Sequence, residues 1–412
     1  METSPQPEPK TFPAGHSPAF VGGVWMLVLA VFLLLCGFCS SLFYIVLPFA
    51  SQARAEELQA NVVCGSTAGL GLLFGALMAW QGWATVRGRD TVQAARVFPP
   101  VLVLVLVFVG AVLLGLGALA SPAVAVYAFA PWHFIASALP PLVYVAYAAR
   151  RLGNGSGLRA LTVALGWGAL GSTTLAFLLE GVVGAALILA LALALASFPG
   201  SRALLDQLQA QLRLAQRSQD FTGLSDWLSS PFVMAGLVFY FALIVPPLEE
   251  AVKALVVAFI DPRRTRAADA LLWGLAAGAG FAIIENMFNA ATSLEAWAPV
   301  VLLRVGATTM HVANGGMVGR GWFAARVEGR WGSLIAAYVV SVLFHALWNG
   351  TALFLGNYTS VLTGSPVDLQ ALLPVGALGL VLVLLTFAGL AWIVLAVRAV
   401  RQAPSVETTI AA

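Results

Sequence analysis

The sequence predicts an all-α protein, a polytopic transmembrane helix bundle of about eleven spans, and three observations predict it. Hydrophobic residues fill 60% of the 412 positions and charged residues only 9%, with a mean hydropathy of +0.91, far outside the range of soluble globular domains. Apolar runs recur along the chain, each near the ~20 residues a helix needs to cross the hydrocarbon core. Between them the basic residues gather in short loops, the pattern that orients membrane proteins. A net charge of +3 from 21 basic and 18 acidic residues forms no single basic patch, so a lipid bilayer is the expected surrounding and nucleic acid is not an expected partner.

Residues 1–19 are Pro-rich and contain acids as well as Lys10, unlike the basic start of a cleaved signal peptide; they are expected to be a disordered tail. Runs near 22–49, 61–83, 98–120, 123–148, 159–179 and 181–198 make residues 20–198 a six-span module, structural or substrate-gathering in character. Apart from Glu180, which stands between two runs, it has almost no charge at depth. His133, beside Pro131 and Trp132, is expected at a membrane interface. Cys36 and Cys39 form a C-x-x-C inside the first run. Such a pair needs a polar setting for redox or zinc chemistry, so these two and Cys64 read as small packing residues, with no disulfide framework.

Residues 199–230 break the apolar pattern. Leu204, Leu205, Leu208 and Leu212 share one helical face, which fits an amphipathic connector lying on the membrane surface or packed on the protein. Five further runs, near 231–259, 268–291, 298–322, 334–356 and 372–397, build a second membrane domain over 231–397, and 398–412 form a C-terminal tail. Arg263, Arg264 and Arg266, then Arg326 and Arg330, then Arg398 and Arg401 occupy alternate loops, which predicts a cytoplasmic C-terminus. Arg87, Arg89 and Arg96, and Arg150, Arg151 and Arg159, also vote for the cytoplasm. Counting eleven spans forward from them puts the 261–266 loop outside. One boundary is therefore misplaced or one segment is re-entrant, with Glu180 and Pro246–Pro247 as the suspect places.

The second domain alone carries acids and imidazoles inside apolar runs: Glu249, Glu250 and Lys253, then Glu285, His311 and His345. Each ionisable group at bilayer depth costs roughly 2.5–3.5 kcal/mol, so a cluster of them points to a polar catalytic pocket within the membrane. Pro246 and Pro247 are expected to end or kink the incoming helix, which restarts at Leu248. Lys253 stands three and four residues after the two glutamates and can reach back to either. Neighbouring carboxylates resist ionising together, so one can keep a proton, as a general acid and base pair requires. Gly274 and Gly278 precede Glu285 at helical spacing, and Gly315 and Gly319 follow His311 in the same way; both are stripes that let another helix approach closely. Ser341, His345 and Asn349 share one face.

Carboxylates and imidazoles from separate helices suit Zn²⁺ or a similar divalent ion with an open position for water, and the implied chemistry is hydrolysis. A metal-free arrangement in which a glutamate activates water also satisfies the residue types. The soluble metalloprotease pattern H-E-x-x-H and the serine pattern G-x-S-x-G do not occur, and N-G-S-G at 154–157 lies in a polar loop.

The stretches E-E-A-V-K at 249–253, F-A-I-I-E-N at 281–286, H-V-A-N-G at 311–315 and H-A-L-W-N at 345–349 resemble the PrsW family of intramembrane proteases, related to the CAAX prenyl endopeptidases and bacteriocin-immunity proteins. The resemblance covers roughly 231–356. It implies that Glu249, Glu250, Glu285, His311 and His345 are active-site positions of a metal-dependent protease of the cell membrane, acting on a membrane-embedded protein substrate. On that basis Glu285, His311 and His345 are expected to bind metal or water, Glu249 or Glu250 to act as general base, and Asn349 to support the site or bind an oxyanion. The family's founding activity is the first cut in an anti-sigma factor; the six spans before residue 199 depart from the family core and leave the substrate open. Two other readings of the same residues stand beside it: a proton-coupled transporter or channel, which would show similar broken helices in both halves, and a catalytically silent scaffold.

Overall fold

The computed structural model describes residues 18–50, 55–89, 91–153, 157–197, 206, 209–210, 213–214, 231–259, 261, 265–362 and 369–402. Among the described residues there is no strand, only an isolated bridge between Gln93 and Gly157. The long helices are α1 (Pro18–Ala50), α2 (Ala55–Val86), α3 (Val101–Leu119) and α4 (Pro122–Leu152). Helix α5 joins Leu158–Gly166 to Thr173–Ser197 through a π-helical turn, Trp167–Ser172; α6 joins Pro231–Val238 to Val245–Lys253 through a second π turn, Phe239–Ile244. Then follow α7 (Ala267–Ala291), α8 (Trp297–Arg326), α9 (Trp331–Leu362) and α10 (Leu369–Gln402).

The chain is thus an all-α, polytopic membrane bundle. Among the described residues nine helices are long and apolar enough to cross a membrane; α8, 30 residues long, is more polar because it carries Arg304, His311, Asn314 and Arg320. The count differs from the expected eleven chiefly at Glu180. The runs 159–179 and 181–198 are one helix there, with Glu180 and Gly181 inside it. Leu204, Leu205, Leu208 and Leu212 of the connector lie outside the described residues, as do residues 1–17 and 403–412 of the two tails.

Local chemistry sets the helix ends. Pro18, Pro122 and Pro231 each stand first in a helix, where the missing N–H has no partner to lose. Gly88, at φ +64°, closes α2: its N–H reaches Thr85 O at 3.0 Å and Arg89 N–H reaches Ala84 O at 2.9 Å, a two-bond cap that needs a left-handed residue.

The chain divides into two units. The first comprises Met1–Pro140, Asn154–Val163 and Met287–Val301. Here α1 and α2 touch backbone to backbone at Gly37 and Gly71, where a methyl group on Gly37 would stand 2.7 Å from Leu72 N. Cys36, Cys39 and Cys64 are free thiols. His133, expected at a membrane interface, is fully buried in the protein: Trp297 Nε1 donates to its Nδ1 at 2.9 Å, so its Nε2 keeps the hydrogen and donates to Met287 O at 3.0 Å. With both ring nitrogens bonded, the imidazole has no need of water.

The second unit comprises Pro141–Gly153, Ala164–Asn286 and Leu302–Ala412. Its centre is α7, the most buried of the long helices. The two glycine stripes read from the sequence face each other: a methyl on Gly315 would lie 2.9 Å from Gly278 N, and one on Gly278 would meet His311 O. On another side Gly280 stands against Leu165 and Ala169, and Gly168 against Ala277 O, so the first π turn sits where α5 meets α7. Ser172 and Thr173 hydroxyls both donate to Gly168 O, at 3.0 and 2.8 Å, satisfying a carbonyl that the turn displaces.

Candidate active site

Helix α6 brings in the two neighbouring glutamates, and its second π turn sets their position. Pro246 and Pro247 are expected to end or kink the helix; the chain does not end there but winds on through the π turn Phe239–Ile244, with both prolines in the first turn after it. A proline nitrogen cannot donate, and in π register Pro246 leaves Phe241 O without its partner. Asn349 supplies the missing donor, its Nδ2 lying 2.9 Å from Phe241 O. Tyr338 donates to Pro247 O at 2.9 Å and Tyr240 to Glu180 O at 2.7 Å. These bonds tie the proline segment to α9 and α5, and the next turn carries Glu249, Glu250 and Lys253 inward, all fully or almost fully buried.

Lys253 lies among them. Its Nζ is 2.9 Å from Glu249 Oε2, 2.7 Å from Glu250 Oε1 and 2.8 Å from His311 Nδ1, and it sits 4.3 Å from the centre of the Phe281 ring. As an ammonium it has three hydrogens for these three acceptors, so His311 carries its own hydrogen on Nε2. That nitrogen faces Glu285 Oε2 at 2.6 Å. Arg304 Nη2 donates to the same oxygen at 2.7 Å, and its Nε to Asn286 Oδ1 at 2.8 Å, while Asn286 Nδ2 donates to Thr308 Oγ1 at 2.9 Å. His345 Nδ1 reaches Glu250 Oε1 at 2.8 Å, and its Nε2 stands 3.8 Å from Glu249 Oε2. The two imidazoles meet edge to face with centroids 5.0 Å apart.

The residues chosen from the sequence therefore divide. Glu249, Glu250, His311 and His345 converge, each able to place one ligand atom within 4.8 Å of the others. Glu285 stands beyond His311, held by Arg304, and Asn349 bonds the Phe241 carbonyl one turn from His345. Three further charged groups border the site. Helical spacing shows the reach of Lys253 to the glutamates but not to His311, and Arg304, an arginine inside an apolar run, is the same signal as Glu285. Glu180 has its side chain beside that of Glu249, and its Oε1 is buried without a partner among the described residues. The uninterrupted apolar run through Leu179 and Gly181 is the sign that Glu180 lies at depth on a helix instead of in a loop.

The donor set suits a divalent cation. Two carboxylates and two imidazoles are the ligand types of catalytic zinc, and Glu250 Oε2 is buried with no hydrogen-bond partner among the described residues, as a carboxylate oxygen awaiting an ion would be. His345 Nε2 also has a lone pair to offer, because Nδ1 holds the ring hydrogen toward Glu250.

No curated protein and no solved structure matches the chain. A family model described as PrsW family intramembrane metalloprotease matches residues 156–390, more than half of the chain and the whole of α5 to α9. With three helices directing acids and imidazoles to one buried point, and that match running across all of them, the chain belongs to the PrsW family of intramembrane proteases.

Proposed function

We propose that this protein cuts a peptide bond of a membrane-tethered protein substrate by hydrolysis, using Glu249 as the base that takes a proton from the attacking water. The observation that carries the reading is the convergence of Glu249, Glu250, His311 and His345, almost fully buried, with Glu250 Oε2 unpartnered. Glu250, His311 and His345 would hold a divalent ion, Zn²⁺ by donor type, with His311 offering Nδ1 when Lys253 turns to its two carboxylates. When bound, such an ion supplies a Lewis acid to the carbonyl under attack. The remaining steps belong to the chain itself. Lys253 holds the two glutamates in place, and Glu285, clamped by Arg304, orients His311 in the manner of a carboxylate behind a ligating imidazole. The proton that Glu249 takes from the water passes to the departing amine nitrogen as the C–N bond breaks, which restores the carboxylate. Asn349 supports the site through the Phe241 carbonyl.

We place the protein in the cell membrane with both ends of the chain in the cytoplasm. Counting α5 as one span and α8 as another puts the arginines at 87–96, 150–159, 261–266, 326–330 and 398–401 on one side, which supports that sidedness.

The test is cleavage of single-span membrane proteins co-expressed with wild type, Glu249→Gln, Glu250→Gln or His345→Ala, together with the metal content of each purified protein. A fragment made by wild type alone, with metal retained by wild type and Glu249→Gln but lost from Glu250→Gln and His345→Ala, supports both the base and the ligand set. Equal cleavage by all four proteins would sink the assignment, and cleavage by a wild type that holds no metal would sink the ion.

A further inference from the structure

The buried acids are not the only polar group inside the second unit that lacks a partner. Arg320, on the last third of α8, has its Nη1 buried with no hydrogen-bond partner among the described residues, and its guanidinium lies 5.5 Å from the centre of the Phe323 ring. It lines a cavity of about 320 Å³ between α8, α9 and α10. Arg330 and Ser333 line the cavity where α8 passes to α9, and Met317, Val340 and Trp392 line its inner part. From Arg330 to Val340 the wall runs along roughly 15 Å of helix axis, so charge at the loop end gives way to apolar surface at depth. The acid that faces this end is Glu328, paired with Arg330 through Nε at 2.8 Å; it leaves Arg320 Nη1 unanswered.

We propose that this cavity binds the phosphate of an anionic glycerophospholipid from the leaflet on the arginine-rich side, with the glycerol and first acyl methylenes against Met317, Val340 and Trp392. The chemistry is that of a guanidinium fork on a phosphate oxygen in a site of low dielectric. The apolar inner wall selects a lipid over a free anion, since inorganic phosphate would leave that surface uncovered. Basic pockets between membrane helices on the cytoplasmic side are suited to this class of ligand. The site shares no residue with the buried acid cluster, so the inference stands apart from the proteolytic reading.

Native mass spectrometry of the delipidated full chain, with dioleoylphosphatidylglycerol or dioleoylphosphatidylcholine added, tests the proposal. Wild type is expected to retain the anionic lipid about fivefold better, and Arg320→Gln to lose that preference. Ala337→Phe, which fills the cavity and keeps both arginines, is expected to reduce retention of both lipids. Excess inorganic phosphate is expected to leave the retained lipid in place. Equal retention of the two lipids by wild type, an unchanged preference in Arg320→Gln, full retention by Ala337→Phe, or displacement by inorganic phosphate would each overturn it. Elution volume and thermal midpoint in detergent are measured for every variant, and Arg330→Gln replaces Arg320→Gln if the latter does not fold.

Discussion

Lys253 donates to two carboxylates and an imidazole from a position with no exposed surface, and the consequences of that arrangement can be measured residue by residue. Replacing it with methionine keeps the volume and removes the only ammonium in the cluster, leaving two buried carboxylates uncompensated. Lys253→Met is expected to lower stability in detergent by about 3–5 kcal/mol, read from the thermal midpoint, and to abolish cleavage. The acids should separate by role. Glu249→Gln removes the proposed base and should cost about 10²–10⁴ in cleavage rate with the thermal midpoint little changed. Glu285→Gln, acting through His311, should cost about 10–100-fold and weaken metal retention, as loss of an orienting partner does. If Glu285→Gln proves as damaging as Glu249→Gln while metal content is unchanged, Glu285 takes part directly and its position behind His311 has been misread.

At the scale of elements, the site depends on how closely α7 and α8 approach. Gly278 leaves no room for a side chain, since its Cβ would meet His311 O, the backbone of a site residue. Gly278→Ala is expected to destabilise the protein by about 1–3 kcal/mol and to reduce cleavage by displacing His311. Gly181, on α5, has nothing within 4 Å of an added methyl group, and Gly181→Ala should be neutral or slightly stabilising. Thermal midpoints and cleavage rates of this pair distinguish backbone contact from a general intolerance of helix glycines. Both π turns lie on helices that reach the site, and each displaced backbone carbonyl is met by a side chain: Ser172 and Thr173 at Gly168, Asn349 at Phe241. Asn349→Ala should therefore loosen the proline segment and lower activity without loss of metal.

For the whole molecule, the proposed sidedness rests on α5 crossing as a single span. A single cysteine at Ser218, in a background lacking Cys36, Cys39 and Cys64, is expected to react with a membrane-impermeant maleimide in intact cells, whereas one at Ser333 should react only after lysis. Labelling of both in intact cells would mean that α5 does not cross the membrane as one span. Much of this architecture was legible in the sequence. Hydropathy placed the spans because a bilayer demands continuous apolar surface, and the arginine loops placed their ends. The boundary at Glu180 was misread because a lone acid between two apolar runs resembles a loop when its partner, Glu249, is about seventy residues away in the chain.

The sequence by itself determined the membrane class, the family, and the residue types that meet in the site, since ionisable groups within apolar runs declare themselves locally. Only the tertiary structure decided which of them share one point. It set Lys253 among the acids, Arg304 on Glu285 and Asn349 on a carbonyl stranded by proline, because each of those pairings joins different helices or depends on the π turn of α6. Helical spacing can say which face a residue occupies; which helix lies against that face is a matter of packing, here of glycine against glycine between α7 and α8.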